Sequence, residues 1–172
     1  MFFGALKTMR MTKSVKVGIT IGDKNGVGPE VILKALEDER IMSGITPVIY
    51  GCEAVLQHYK HVLGMDHISF ETVSSAKKAQ PKKINIVNVL NDKSHVNEGQ
   101  EEASSGKLAI KSIEAASTDI SSGVIDAIVT APISKSVCQN AGFDFPGHTE
   151  FFISMSNGAE GIMILTSSLM KI

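Results

Sequence analysis

No stretch of this sequence approaches the roughly 18 consecutive apolar residues needed to cross a bilayer, and neither of its two cysteines belongs to a Cys-x-x-Cys pair. The first absence leaves no transmembrane span to read, so a cytoplasmic protein is the expectation. The second removes zinc knuckles and disulfide frameworks, because Cys52 and Cys138 are far apart in the chain; both read as buried or neutral thiols. An excess of either charge is also lacking, since 17 Lys and Arg against 18 Asp and Glu give a formal net charge of −1. The lysines are scattered, apart from Lys77-Lys78 and Lys82-Lys83 in a Ser/Ala/Gln/Pro stretch that reads as a solvated loop. No nucleic-acid footprint emerges. A signal-peptide core is missing too: the apolar opening, residues 1–6, is too short, and Lys7 and Arg10 follow it instead of preceding it. Residues 1–13 read as a leader, either disordered or lying ahead of the first patterned segment as a variable start around Met9 and Met11.

What is present is ordinary globular composition, 43% hydrophobic and 20% charged over 172 residues, enough for one domain with a real core or one lobe of a larger enzyme. No repeat and no linker divides residues 14–172. The β-branched run at 15–21 suits a buried strand, and Pro29 then stands where a helix would begin. Glu30 in its first turn complements the helix dipole, and Val31, Ile32, Ala35 and Leu36 mark an apolar stripe. The alternation recurs, with strands expected at 47–50, 84–89, 127–130 and 162–165 and helices at 53–63 and about 104–121. Such alternation favours a mainly parallel sheet covered by helices, an α/β architecture. Ligands of open parallel sheets bind beyond the carboxyl ends of the strands, which directs attention to the loops at 22–28, 131–135 and 147–150.

The loop Gly22-Asp23-Lys24-Asn25-Gly26-Val27-Gly28-Pro29-Glu30 invites a phosphate-binding reading, but its chemistry fits poorly. A Walker A loop ends in Gly-Lys-Ser/Thr, whereas this one ends in Gly-Pro-Glu. Pro29 removes an amide that would bind an anion, and Glu30 puts a carboxylate where phosphate charge would lie. Two readings stay open: a tight strand-to-helix turn that needs Gly26 and Gly28, or a loop whose Asp23 and Asn25 are cleft contacts for a polar ligand. His148 beside Thr149 can hydrogen-bond an alcohol together with a carboxylate or amine; the plainer alternative is a histidine that pins a loop. Lys135 either supplies positive charge to an anionic substrate or faces solvent at a helix start. His58 and His61 form a weak His-x-x-His pair, read as surface, and His67 and His95 have no metal-ligand spacing.

Three segments together are similar to one family. Ile19-Thr20-Ile21-Gly22-Asp23-Lys24-Asn25-Gly26-Val27-Gly28-Pro29-Glu30 resembles the opening motif Thr-x-Gly-Asp-x-x-Gly-(Ile or Val)-Gly-Pro-Glu of the 4-hydroxythreonine-4-phosphate dehydrogenases. Val129-Thr130-Ala131-Pro132-Ile133-Ser134-Lys135 resembles their Thr-Ala-Pro-Ile-Asn-Lys, with Ser134 in place of the usual Asn. Pro146-Gly147-His148-Thr149-Glu150-Phe151-Phe152 resembles their Gly-His-Thr-Glu-(Phe or Tyr). The resemblance runs from about residue 15 to 172 and implies the three-layer α/β/α fold of the isocitrate and isopropylmalate dehydrogenase type, here mainly the first of its two lobes.

That resemblance also implies an activity: oxidation of 4-hydroxythreonine 4-phosphate with NAD or NADP and a divalent metal (Zn, Mg or Co), giving a β-keto acid that decarboxylates, in pyridoxal phosphate synthesis. It implies a homodimer, and it makes His148 and Thr149 substrate-binding residues. The family's metal-ligating histidines, the rest of its substrate site and most of its nicotinamide site would fall beyond residue 172. The 172-residue chain by itself is therefore expected to hold no metal and to be inactive, with exposed apolar edges that favour self-association. Two other readings compete: a related dehydrogenase of threonate or erythronate 4-phosphate, and a truncated, non-catalytic lobe that binds a phosphorylated metabolite or a partner subunit.

Overall fold

In the computed structural model, which describes residues 14–91, 95–156 and 160–164, strand β1 (Val15–Thr20) is an interior strand of a five-stranded parallel sheet. It pairs with β2 (Ile45–Gly51) on one side and with β5 (Ala127–Thr130) on the other. Beyond β2 lie β4 (Ile84–Asn88) and the short edge strand β3 (Phe70–Thr72), giving the order β3-β4-β2-β1-β5. The register of β1, with Thr20 level with both Tyr50 and Thr130, brings three strand ends to one line.

Alternation along each strand sends side chains to two covered faces. Ile19, Ile49 and Ile86 pack with Ile32, Leu33 and Leu36 of α1 (Gly28–Leu36) and Val55, Leu56 and Tyr59 of α3 (Glu53–Val62). On the opposite face, Val48 and Tyr50 pack with Ala116 of α4 (Ala103–Ser121) and with Ile125. Helices cover both faces, so the fold is the expected three-layer α/β/α type. A third cluster joins Ile110 and Ile113 of α4 to Cys138 of α5 (Lys135–Asn140) and Phe151 of α6 (His148–Met155). Close approach of α4 to α5 depends on Gly106, where a Cβ would meet the Val137 carbonyl oxygen at 2.6 Å.

Several expectations need correcting. The buried stripe of α1 is Ile32, Leu33 and Leu36. Val31 and Ala35, assigned to it from sequence, are exposed and line an apolar groove of about 250 Å³ between α1 and β5. Residues 162–164, read as part of a strand, are irregular and 63–84% exposed, without the ladder partner that a strand requires; Leu165 and the leader at 1–13 lie outside the described residues. Two helices and a strand went unread, α2 (Glu39–Gly44), α6 and β3, and of α5 only a start at Lys135 was expected. Helix α2 buries none of its residues, so it carries no apolar period, and its start is fixed by Asp38, whose side chain accepts from the Arg40 amide at 2.9 Å.

Candidate active site at the carboxyl ends of β1 and β5

The first loop leaves β1 through Gly22, whose φ of 72° lies in the left-handed region. A Cβ there would stand 2.3 Å from the Pro132 carbonyl oxygen, because the next amide, Asp23 N, donates to that oxygen at 2.9 Å. The loops after β1 and β5 are thereby joined. Gly28 is constrained in the same way, with Ile21 O at 2.7 Å and Ala131 Cβ at 3.1 Å from a would-be Cβ.

Inside the turn the Asp23 and Asn25 side chains both have protein partners. The Asp23 carboxylate accepts from the Asn25 amide at 2.9 Å and, in a very short bond, from the Ser105 hydroxyl in the first turn of α4. Asn25 is only 2% exposed. Its Oδ1 accepts from Asn97 N at 3.0 Å, and its Nδ2 donates to Gln100 O at 2.9 Å and to Glu102 Oε2 at 3.2 Å. From α3 the Tyr59 hydroxyl donates toward Lys24 O (2.9 Å) and Gly26 O (3.1 Å). Asn25 therefore sews the turn to the 97–102 loop, with both ends of its side chain bonded to that loop. Asp23 is half-buried at the same seam. Lys24 is fully buried. Hydrogen bonds from Asn97 and Asn25, helped by the Lys24 charge, hold the Glu102 carboxyl below its ordinary range.

The other two segments meet beside this seam. Ser134 caps α5 and Lys135 opens it, exposed to solvent. A Cβ on Gly147 would lie 3.6 Å from Lys135 Cε, 4.0 Å from its Nζ and 3.4 Å from Glu150 Oε2, so the ammonium and the carboxylate flank the start of α6. Next to them the His148 ring stacks on Phe152, with centroids 6.4 Å apart and planes 12° from parallel. Its Nε2 is sealed from water and has no hydrogen-bond partner among the described residues, and burial pushes its pKa down, so the imidazole is neutral at pH 7. Thr149 is exposed and lines, with Thr130 and Phe152, a cavity of about 700 Å³ against β5.

The structure thus places Lys135, His148 and Thr149 beside one another past the end of β5, with Asp23 past the end of β1 joined to them through Pro132 and Asn25 buried against the 97–102 loop. Sequence reasoning missed Ser105, Tyr59 and the 97–102 loop; the loop's position between β4 and α4, on the same edge of the sheet, is the signal that could have found it. Both cysteines are buried as expected, and the Cys138 thiol is pushed up by burial and then by the Asp23 charge. His58 is half-buried on α3 with Nε2 3.3 Å from Glu98, and His61 is exposed. Among the described residues no group of three His, Cys, Asp or Glu side chains comes together, so the divalent cation that the resemblance implies finds no ligand set here.

Comparison with known proteins agrees with the motifs. The family model described as pyridoxal phosphate biosynthetic protein PdxA matches residues 43–172. A 4-hydroxythreonine-4-phosphate dehydrogenase of Bacteroides thetaiotaomicron is 38% identical over 152 residues, covering 88% of this chain and 42% of that protein. A D-threonate 4-phosphate dehydrogenase of Pectobacterium atrosepticum is 30% identical over 159 residues, covering 91% and 48%. The crystal structure of a 4-hydroxythreonine-4-phosphate dehydrogenase from Burkholderia phymatum superposes with a TM-score of 0.81 at 28% identity, over 92% of this chain and 48% of that one. The chain spans about half the length of the curated relatives it matches. With the matched family model, the shared fold and the motifs at one edge of the sheet all in agreement, the chain belongs to the PdxA family of pyridoxal phosphate biosynthetic proteins.

Proposed function

We propose that this chain is the substrate-orienting part of an NAD(P)-dependent dehydrogenase that oxidises the secondary alcohol of 4-hydroxythreonine 4-phosphate. The observation that carries the reading is that the 131–135 segment joins the Gly22 turn through Pro132 and the 147–150 segment through Lys135, in a chain of this family. Oxidation moves a hydride from the carbinol carbon to the nicotinamide, which takes the electron pair while the hydroxyl proton leaves, and the β-keto acid so formed loses carbon dioxide. A divalent cation would polarise the alcohol when bound; on this reading its ligands and most of the nicotinamide site come from parts of the relatives that the chain does not span, completed in a homodimer in the cytoplasm.

What the residues here contribute is orientation. The neutral His148 imidazole and the Thr149 hydroxyl hydrogen-bond the substrate's polar groups, and the Lys135 ammonium offers charge to its anionic end. Exposure of Lys135 and Thr149 supports that role, since a substrate can reach both; the His148 Nε2, sealed and without a partner as it stands, meets a substrate once its ring turns, which also relieves the cost of about 1–3 kcal/mol of a buried polar atom left without a bond. Similarity to the threonate 4-phosphate dehydrogenase of Pectobacterium favours a second substrate, with a hydroxyl in place of the amine.

The test is nicotinamide reduction by the protein at its natural length, with 4-hydroxythreonine 4-phosphate and D-threonate 4-phosphate compared in the presence and absence of a chelator. Turnover of the amine substrate, lost with chelator, is expected. Preference for the threonate would move the assignment to the second substrate, and turnover of neither would reject both.

A further inference from the structure

We infer that Glu101 is a positioning residue: from the 97–102 loop, its carboxylate sets the Ser134–Ser136 turn that delivers Lys135 to the site. The inference deepens the proposed function and rests on its use of Lys135.

Glu101 Oε1 accepts from the Ser134 hydroxyl at 3.0 Å and from the Ser136 hydroxyl at 2.8 Å. Each serine has one proton to donate, and both protons go to the same oxygen. The 3.0 Å contact between the two hydroxyl oxygens is then held by the shared acceptor and not by a bond of its own. Ser134 keeps its lone pairs for the Val137 amide at 3.4 Å and so caps α5. Lys135 sits between the two serines, and its backbone is fixed on both sides by one carboxylate.

The carboxylate is itself held. Asn25 fastens the 97–102 loop through Asn97 N, Gln100 O and Glu102, and its own carbonyl accepts from Gly99 N at 2.7 Å. The Asp23 to Pro132 bond closes the circuit. Loops following β1, β4 and β5 therefore form one ring of hydrogen bonds, and Glu101 is the link between the second and the third. Ser134 stands where the family motif usually has Asn, so the shared acceptor for two hydroxyls is a feature of this chain's version of the turn.

The experiment compares Glu101→Ala and Glu101→Gln in the natural-length protein. A glutamine carbonyl oxygen accepts the same two protons, so Glu101→Gln is expected to behave as wild type. Glu101→Ala is expected to raise KM for the phosphorylated substrate about tenfold, a size typical of a displaced contact group, with kcat and the thermal midpoint little changed. In a Lys135→Ala background it should add nothing further. An unchanged KM in Glu101→Ala, an equal loss in Glu101→Gln, or full additivity with Lys135→Ala each overturns the inference. Amide hydrogen exchange of residues 133–138 needs no substrate and separates this idea from the functional one. Exchange should be faster in Glu101→Ala and as in wild type in Glu101→Gln even if no substrate turns over, and equal exchange in all three proteins rejects the positioning role on its own.

Discussion

The amide of Asp23 donates to the carbonyl of Pro132 at 2.9 Å, and that bond brings the first motif of this chain against the second across 108 intervening positions in sequence. It forms because Gly22 turns with a φ of 72° and presents no Cβ to the Pro132 oxygen 2.3 Å away. Replacing Gly22 with alanine forces both a disfavoured backbone and a backbone clash, so Gly22→Ala is expected to cost about 2–3 kcal/mol. Urea denaturation measures this directly, and a loss of a few tenths would mean that the turn is not constrained as described.

Tyr59 offers a test on the alkaline side. Tyr59 is 4% exposed and its hydroxyl donates toward two carbonyls of the turn, so Tyr59→Phe should cost about 1–3 kcal/mol at neutral pH. Burial, then the charges of Glu98, Asp23 and Glu30, push its pKa up to about 12. A folded-state value above the unfolded one of about 10 means that its contribution is intact below pH 10 and is lost as pH rises toward 12. Stability measured across that window should fall less steeply in Tyr59→Phe than in wild type.

His148 tests the acid side. Burial lowers its pKa below 6.5, so the unfolded chain binds this proton first as pH falls. Its contribution is present above the unfolded value and is lost as pH drops through and below it. His148→Gln should flatten the pH dependence of unfolding below pH 6.5; an unaltered slope would show that the ring is not desolvated in the fold.

Asn25→Asp is nearly isosteric, yet it replaces the Nδ2 donor with an oxygen facing Gln100 O and the Glu102 carboxylate. A buried carboxylate against two acceptors should cost about 2–4 kcal/mol at pH 7. Because that carboxyl would have a raised pKa in the fold, the deficit should shrink toward pH 4. Denaturation at the two pH values distinguishes this from a loop that merely tolerates the change.

Strands β1, β2, β4 and β5 and helices α1, α3 and α4 could be read from sequence, since β-branched runs and apolar periods report burial against a sheet. Helix α2 and strand β3 could not, because neither has a fully buried side chain; a cap on one and a ladder to β4 on the other hold them, with Met42 and Phe70 packed only partly buried against the core. Helix α6 was hidden for a different reason: only Phe151 of its eight residues is buried. The motifs pointed to His148, Thr149 and Lys135. They could not tell the half-buried Asp23 from the buried Asn25, since that depends on the 97–102 loop, more than seventy positions distant from Asn25 in sequence.

The most direct measurement is the KM for 4-hydroxythreonine 4-phosphate in His148→Ala at the protein's natural length, with NAD(P) and a divalent cation present. The account predicts a rise of about tenfold or more with the thermal midpoint preserved. A KM equal to that of the wild type would contradict it, and would return His148 to the role of a buried ring stacked on Phe152 and nothing more.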